Sequence, residues 1–176
     1  YDVIFVGRLA ENKGISIFLD AVRGTSWRCL IVGAGPGEAR IRDAIAQGDL
    51  QGRVSLHGWA RDAQEVADMM NRSRILAMTS YNEGGPRVVV EAMACGVPVL
   101  ATPVGLVPDF IQQGYPLKLT GWDASELRQA IGNLLSHTDT YQEAVRKGKE
   151  LAQQCYREGA VRRYADEVRS LIRHEI

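Results

Sequence analysis

The chain has few of the features that mark the more specialised classes of protein. No stretch comes near the roughly 20 apolar residues of a membrane-spanning helix, so no span is predicted. Its 21 basic and 21 acidic side chains cancel to a formal net charge of zero, which disfavours nucleic-acid binding. The three cysteines (Cys29, Cys95 and Cys155) are odd in number and lack paired spacing. We therefore expect reduced thiols, mainly packing residues, in a cytoplasmic protein.

The length and composition indicate one globular domain. The chain has 176 residues, of which 45% are apolar and 24% charged, enough to form a single hydrophobic core and too apolar for a disordered chain. It begins at Tyr1, directly on an apolar run and without Met. We therefore expect residues 1–176 to be one whole domain of a longer protein.

Short apolar runs alternate with segments of helical periodicity through the first two-thirds of the chain. The runs are residues 3–6, 29–32, 54–56, 75–78 and 97–101, and helices are predicted over about 15–22, 38–46, 62–71 and 87–95. Continuous apolar runs are typical of strands that are buried on both faces of a parallel sheet. The alternation predicts an α/β fold with a doubly wound parallel sheet and helices on both faces.

The last third is predicted to be helical. The apolar spacing indicates helices over about 125–135, 141–156 and 160–173, with a break at Glu158–Gly159. The last of these has an apolar stripe that either belongs to a solvated surface helix or docks on another domain.

The loop after the fourth strand carries the strongest chemical signal. In open α/β sheets, ligands bind at the carboxyl ends of the strands. Gly84 and Gly85 leave the start of the following helix uncovered, and Pro86 fits its first position. The free N–H groups and the positive end of the helix dipole could then hold a phosphate.

Two glutamates flank this helix start. Glu83 precedes it, and Glu91 lies about five residues past Pro86, roughly 7–8 Å along the axis at 1.5 Å per residue. The helix over 87–95 is apolar nearly all round, so we expect it to be buried, with Glu91 as its lone carboxylate. Carboxylates accept hydrogen bonds from paired hydroxyls. The layout therefore suits a nucleotide diphospho-sugar, with its ribose diol, diphosphate and sugar hydroxyls.

Arg8 and Lys13 follow the first strand, five residues apart around a tight loop. They are either solvated charges or groups that reach the same phosphates. In the second case they would stabilise the negative charge of a departing nucleoside diphosphate.

The motifs resemble those of family 4 (group 1) glycosyltransferases. The resemblance rests on Gly7-Arg8-Leu9-x3-Lys13-Gly14, Val32-Gly33-x-Gly35-Pro36 and Glu83-Gly84-Gly85-Pro86-x4-Glu91-Ala92-Met93-Ala94-Cys95-Gly96-x-Pro98-Val99. It covers nearly the whole chain, but only the C-terminal, donor-binding half of the family's two-domain GT-B fold. An N-terminal acceptor domain is therefore expected elsewhere in the parent protein.

The resemblance implies retaining transfer of a hexosyl unit from a UDP-, GDP- or ADP-linked sugar, without a metal or another cofactor. Arg8 and Lys13 would bind the diphosphate, Glu91 the ribose, and Glu83 with the following glycines the transferred sugar. The segment around His57, Gly58 and Trp59 would flank the base. The predicted catalytic residues are Glu83, Arg8 and Lys13, and the predicted nucleotide-sugar-binding residues are Arg8, Lys13, Gly33, His57, Gly58, Trp59, Glu83, Gly84, Gly85, Pro86, Arg87, Val88 and Glu91.

The resemblance also implies partners. The acceptor would be a carbohydrate or a lipid-linked glycan, and the parent protein could act at the inner face of a membrane. The isolated domain would bind the donor nucleotide and transfer nothing.

Several alternatives stay open at this stage. Gly33 and Gly35 are either sharp-turn glycines or ligand contacts, and Glu38 stands where a dinucleotide fingerprint needs a third glycine, which disfavours a dehydrogenase. His57, Trp59 and Arg87 each have an ordinary structural or surface interpretation beside the functional one. The rival functions are an epimerase or phosphorylase on the same fold, and a non-catalytic nucleotide-binding module.

Overall fold

Five parallel strands form a single sheet in the computed structural model, which describes residues 1–155. The strands are Val3–Val6 (β1), Cys29–Val32 (β2), Val54–Gly58 (β3), Ile75–Met78 (β4) and Val99–Ala101 (β5). Their order across the sheet is β3-β2-β1-β4-β5. The predicted break at Glu158–Gly159 and the predicted helix over 160–173 lie outside the described residues.

Helices cover both faces of the sheet, which confirms the predicted α/β, Rossmann-like fold class. They are Ile15–Val22 (α1), Glu38–Ala46 (α2), Ala63–Asn71 (α3), Arg87–Ala94 (α4), Val107–Gln112 (α5), Ala124–Ser136 (α6) and Thr138–Cys155 (α7). Buried side chains of α1, α2 and α6 pack on one face, and those of α3, α4, α5 and α7 pack on the other. Within residues 1–155, none of the helices has both the length and the apolar character to cross a membrane.

The strands supply both halves of the core. Val3 and Phe5 of β1 belong to the core on one face, whereas Ile4 belongs to the core on the other. Successive side chains of a strand point to opposite faces of the sheet. A strand covered on both faces must therefore be apolar throughout, as the runs 3–6, 29–32 and 75–78 are.

The direction of chain progression across the sheet reverses between β1 and β4. These strands are neighbours, with Val3 paired with Ile75, although α1, β2, α2, β3 and α3 separate them in the chain. The loop after β1 leads to α1 on one face, and the loop after β4 leads to α4 on the other. Such a switch point opens a crevice at the carboxyl ends of the two strands.

Some predicted element limits were wrong. β3 extends to Gly58, so His57 and Gly58 lie in a strand rather than in the loop after it. β5 begins at Val99 rather than at residue 97, because the Val97 N–H donates back to the Ala92 carbonyl and Pro98 has no N–H. α5 was not predicted, since six residues are too few to show a helical period.

The prediction that the helix over 87–95 is buried all round was also wrong. α4 buries Val89, Ala92 and Met93, a stripe with helical spacing, and exposes Glu91 on another side. Composition alone suggested complete burial, but only one side of the helix packs against the core. Pro86 precedes the helix as its N-cap instead of holding the first helical position, and its carbonyl accepts the N–H of Val89 at 3.1 Å.

Candidate functional site

A cavity of about 370 Å³ lies at the switch point between β1 and β4. It is formed by the end of β1, the loop that follows, the loop after β4 and the start of α4. The lining residues are Phe5, Val6, Gly7, Arg8, Lys13, Met78, Ser80, Glu83, Gly85, Pro86, Arg87, Val88 and Glu91. The fold thus brings together Arg8, Lys13, Glu83, Gly85, Pro86, Arg87, Val88 and Glu91 of the predicted site.

A larger cavity, of about 460 Å³, lies between α1 and α2. Its floor includes Ile15, Leu19 and Ile41, and its rim includes Glu11 and Arg40, which form an ion pair at 3.6 Å. None of the predicted site residues lines it. Its size reflects the space between two surface helices, so the smaller cavity is the candidate site.

Lys13 and Glu83 form an ion pair within the candidate site. Lys13 Nζ lies 2.5 Å from Glu83 Oε1, although the two residues are 70 positions apart. The approach depends on Gly14, whose φ is +63° and where a Cβ atom would lie 2.0 Å from the Thr79 carbonyl oxygen. A glycine is required there so that the loops after β1 and β4 can pack backbone to backbone.

Two arginines of the cavity have no partner among the described residues. Within residues 1–155, neither Arg8 nor Arg87 forms an ion pair or a side-chain hydrogen bond, and both are exposed. A guanidinium offers a planar set of N–H donors that matches carboxylate and phosphate oxygens. The site therefore has cationic donors available for an anion in addition to Lys13.

The N-terminus of α4 is open toward the same space. Pro86, its N-cap, provides no side-chain hydrogen bond to the first turn. The first N–H groups of a helix lack intrahelical partners and carry the positive end of its dipole. This end of α4 can therefore bind an anion next to Arg8 and Arg87.

Glu91 supplies a second carboxylate to the cavity. It lies one turn after Arg87 on α4, is exposed, and has no ion-pair partner in the described part of the chain. Its acceptor oxygens are free for donors on a ligand, whereas one oxygen of Glu83 is already bonded to Lys13.

Five predicted residues do not line this cavity: Gly33, His57, Gly58, Trp59 and Gly84, the last of which directly precedes the lining residue Gly85. Gly33 is buried. A Cβ atom there would lie 1.9 Å from the Gly7 carbonyl oxygen, and the Gly33 N–H donates to the Gly58 carbonyl at 2.7 Å. Packing of neighbouring loops therefore accounts for Gly33, and Gly58 is its partner. His57 Nε2 lies 3.6 Å from Glu65 Oε1, and the Trp59 side chain is 73% exposed. Their contact with a base stays a prediction.

Ser80 was not predicted as a site residue. It is only 2% exposed, and its Oγ donates to Glu83 Oε1 at 2.7 Å. Its position three residues before Glu83 in a strand-end loop is a weak signal that such a contact is possible. Trp122, whose Nε1 donates to the Ser80 carbonyl at 2.9 Å, is 42 positions away and carried no such signal.

The described residues contain no group of three or more His, Cys, Asp or Glu side chains placed to share a metal ion. What the cavity offers is cationic donors, an uncapped helix end and carboxylate acceptors. This combination can bind a ligand that has both an anionic centre and hydroxyl groups.

Comparison with known proteins gives relatives that are named as glycosyltransferases. The chain is 32% identical over 147 residues to D-inositol 3-phosphate glycosyltransferase of Corynebacterium jeikeium, covering 77% of this chain and 35% of that protein. It is 31% identical over 135 residues to the amylovoran biosynthesis glycosyltransferase AmsK of Erwinia amylovora, covering 70% of this chain and 32% of that protein. The chain thus spans less than half the length of the curated relatives it matches.

A solved structure and a family model agree with these relatives. The crystal structure of Anabaena Alr3699/HepE in complex with UDP superposes with a TM-score of 0.80 at 25% identity, over 96% of this chain and 48% of that one. The family model described as glycosyl transferases group 1 matches residues 1–151. With most of its length matched, and with relatives that are themselves glycosyltransferases, the chain belongs to the glycosyl transferases group 1 family.

Proposed function

We propose that residues 1–176 are the C-terminal, donor-binding half of a retaining GT-B glycosyltransferase of family 4 that transfers a hexosyl unit from a nucleotide sugar. One observation carries this proposal. Arg8 and Arg87, which have no partner within residues 1–155, line one cavity with Lys13 and the uncapped start of α4, together with Glu83 and Glu91. Positive charge at a helix N-terminus beside hydroxyl acceptors suits a diphosphate that links a ribose to a sugar.

In this proposal the diphosphate binds to Arg8, Lys13 and the first N–H groups of α4. Glu91 accepts hydrogen bonds from the ribose hydroxyls, and Glu83 accepts them from the transferred sugar. Gly84 and Gly85 support this arrangement, because among the described residues, chain neighbours aside, the nearest atom to a Cβ at either position would be Leu106 Cδ1, 4.0 Å from that of Gly85. Neither glycine is needed for protein packing, whereas a ligand that approaches the backbone closely would need both.

The proposed catalytic contribution is electrostatic. When the bond between the anomeric carbon and the phosphate oxygen breaks, negative charge develops on the departing nucleoside diphosphate. In this proposal Arg8, Lys13 and the α4 dipole lie near this charge and stabilise it. Three cationic or dipolar groups would meet the diphosphate without a metal ion, which is why we propose a metal-independent site.

The first donors to test are UDP-linked hexoses. Crystal structures of Anabaena Alr3699/HepE, 25% identical to this chain, are described as complexes with UDP and with UDP and glucose. GDP- and ADP-linked sugars are the alternatives, since the diphosphate groups proposed here do not distinguish between bases.

The proposed partners are the parent protein's own N-terminal acceptor domain and an acceptor carbohydrate or lipid-linked glycan, in the cytoplasm. The extra length of the glycosyltransferases that the chain resembles supports the first of these. We expect the 176-residue chain to bind donor and to transfer no sugar on its own. Transfer by the purified chain at the rate of the parent protein would contradict the assignment of a half-site.

Calorimetry tests the site directly. We would measure binding of UDP, GDP and ADP to the wild type, Arg8→Ala, Glu91→Ala and the control Arg40→Ala, whose exposed side chain lies outside the candidate site. Loss of a charge-assisted hydrogen bond, about 1.5–3 kcal/mol, weakens binding at least tenfold in Arg8→Ala. Glu91→Ala weakens nucleotide binding because the ribose hydroxyls lose their acceptor. Arg40→Ala binds as the wild type does. Equal affinities in the wild type, Arg8→Ala and Glu91→Ala would refute the site.

A further inference from the structure

The carboxylate of Glu83 is held through one of its two oxygens. Oε1 accepts hydrogen bonds from Lys13 Nζ at 2.5 Å and from Ser80 Oγ at 2.7 Å. Oε2 accepts none from the described residues. A carboxylate anchored in this way has a fixed rotation about its last bond and one oxygen free for a ligand.

Ser80 is itself held by two distant parts of the chain. Its carbonyl oxygen accepts the Thr102 hydroxyl at 2.6 Å and the Trp122 indole N–H at 2.9 Å. Thr102 follows β5, and Trp122 directly precedes the N-cap of α6. Ser80 and Thr102 are almost fully buried. Their hydroxyl groups would be unfavourable there without the acceptors they have, which are Glu83 Oε1 for Ser80 and the Ser80 carbonyl for Thr102.

The contacts that hold Ser80 also reach the loop that carries Lys13. The Trp122 ring stacks on Tyr81, with ring centroids 6.2 Å apart and planes inclined at 21°. The Tyr81 N–H in turn donates to the carbonyl of Asn12, the residue before Lys13, at 2.9 Å. The two donors to Glu83 therefore belong to one connected set of contacts.

The two donors to Glu83 differ in one respect. Lys13 is the cation proposed to bind the diphosphate, so the phosphates of a bound nucleotide sugar compete with Glu83 for its ammonium group. Ser80 lines the cavity with little exposed surface and carries no charge, so the phosphates do not attract it as they attract Lys13. When the phosphates attract Lys13, the Ser80 hydroxyl remains to hold the carboxylate.

We propose that Ser80 is a positioning residue, held by Thr102 and Trp122, that fixes Glu83 so that its second oxygen accepts the hydroxyls of the transferred sugar. The inference rests on the proposed function, because it takes Glu83 as the group that binds the sugar. Its effect is specific: Ser80 contributes to recognition of the sugar and not to recognition of the nucleotide.

The test is a comparison of two dissociation constants by calorimetry on the 176-residue chain. The ligands are the nucleoside diphosphate, among UDP, GDP and ADP, that the wild type binds most tightly, and its glucose conjugate. In Ser80→Ala, Glu83 loses the hydrogen bond from Ser80 and no longer holds the sugar hydroxyls in place. Affinity for the glucose conjugate therefore falls on the order of tenfold, as for one lost hydrogen bond to a charged group, and affinity for the diphosphate stays within about twofold. Ser80→Thr, which keeps the hydroxyl, restores most of the affinity. The exposed Ser16→Ala is the control.

Trp122→Phe provides a second variant if Ser80→Ala does not fold. It keeps an aromatic ring against Tyr81, although a smaller one, and removes the indole N–H that bonds to the Ser80 carbonyl. We expect a smaller loss in the same direction, confined to the glucose conjugate. Circular dichroism and the melting temperature report whether each variant is folded.

Glu83→Gln separates failure of this inference from failure of the proposed function. If Glu83→Gln weakens only the glucose conjugate and Ser80→Ala does not, the positioning role is wrong and the role of Glu83 stands. If Ser80→Ala weakens both ligands equally, Ser80 is merely structural and the inference is overturned. If Glu83→Gln changes neither affinity, or if the wild type binds none of the ligands, the proposed function fails and the inference fails with it.

Discussion

At the scale of single residues, the glycines at the carboxyl edge of the sheet fall into two groups. Gly33 has a φ of +144° and lies where a Cβ atom would be 1.9 Å from the Gly7 carbonyl oxygen. Gly85 has no positive φ, and a Cβ atom there would meet only Leu106 Cδ1 at 4.0 Å. The fold therefore requires glycine at the first position and not at the second.

This contrast predicts opposite phenotypes for two matched substitutions. Gly33→Ala lowers the free energy of unfolding by more than about 2 kcal/mol, because the backbone must move to relieve the clash. Gly85→Ala leaves the free energy of unfolding within about 1 kcal/mol of wild type or slightly above it, yet weakens nucleotide-sugar binding. Urea denaturation and calorimetry measure the two effects. Wild-type binding by Gly85→Ala would mean that no ligand approaches this glycine closely.

Cys29 makes a pH-dependent contribution to stability. Burial in the core raises the pKa of its thiol from 9.0 to about 12. Above pH 9 the thiol therefore ionises in the unfolded chain before it does so in the folded one. Stability that is present below pH 9 is lost as the pH rises toward 12.

Replacing Cys29 is expected to change how steeply the free energy of unfolding depends on pH. In Cys29→Ala, the free energy of unfolding falls less steeply with pH between 9 and 11 than in the wild type, by up to about 1.4 kcal/mol per pH unit. The variant is less stable overall at pH 7, because the smaller side chain leaves a cavity. Urea titrations at several pH values give both quantities, and parallel pH profiles would contradict the assignment.

At the scale of secondary-structure elements, two helix N-termini differ in how they are satisfied. α6 begins after Asp123, whose Oδ1 accepts the backbone N–H groups of Ser125 and Glu126, each at 2.8 Å. α4 begins after Pro86 and has no side-chain cap. α1, α2 and α5 also lack a side-chain cap, but the start of α4 lines the candidate site, where its N–H groups are left to a ligand.

The cap of α6 is testable through its charge. Hydrogen bonds from the Ser125 side chain and from the backbone N–H groups of Glu126 and Ser125 hold the pKa of Asp123 below its ordinary value of 3.8. The stabilisation is therefore present above pH 4 and is lost as the pH falls through the lowered pKa.

We expect Asp123→Ala to lower the urea midpoint at pH 7 and Asp123→Asn, which keeps an acceptor, to lie near wild type. As the pH falls through the lowered pKa of Asp123, the wild type loses stability relative to Asp123→Asn, because the amide cap does not titrate. Identical midpoints for Asp123→Ala and wild type at pH 7 would exclude a capping role.

At the scale of the whole molecule, the strand order determines where the candidate site lies. β1 and β4 are adjacent, and their following loops diverge to opposite faces of the sheet. Arg8 and Lys13 come from one connection, and Glu83 comes from the other loop, with Arg87 at the start of α4 directly after it. The site therefore exists only when the two halves of the sheet are paired, so a ligand that binds it stabilises the whole domain.

Ligand-induced stabilisation gives a prediction for the intact chain. At 100 times its Kd, a nucleoside diphosphate adds about 2.7 kcal/mol to the free energy of unfolding, which raises Tm by roughly 5–10 °C for a domain of this size. A thermal-shift panel of UDP, GDP and ADP measures this, with inorganic pyrophosphate as the control for anion binding alone. An equal shift with pyrophosphate would show that the base and ribose are not recognised.

The fold was predictable from sequence where local patterns are unambiguous. The runs at residues 3–6, 29–32 and 75–78 match β1, β2 and β4, because strands buried on both faces are apolar throughout. The side of α4 that is buried was not predicted, since composition does not say which face meets the core. The end of β3 at Gly58 was missed because His57 and Gly58 do not continue the apolar run that ends at Leu56.

The sequence by itself determined most of the elements, the glycine loops at the strand ends and the family motifs, because these depend on residues close together in the chain. Only the tertiary structure decided that Lys13 pairs with Glu83, 70 positions away, and that Trp122 bonds to Ser80, 42 positions away. It also decided that Gly33 serves loop packing while Glu91 is exposed to the cavity. These contacts depend on strand order and on the distance between loops, which no local periodicity encodes.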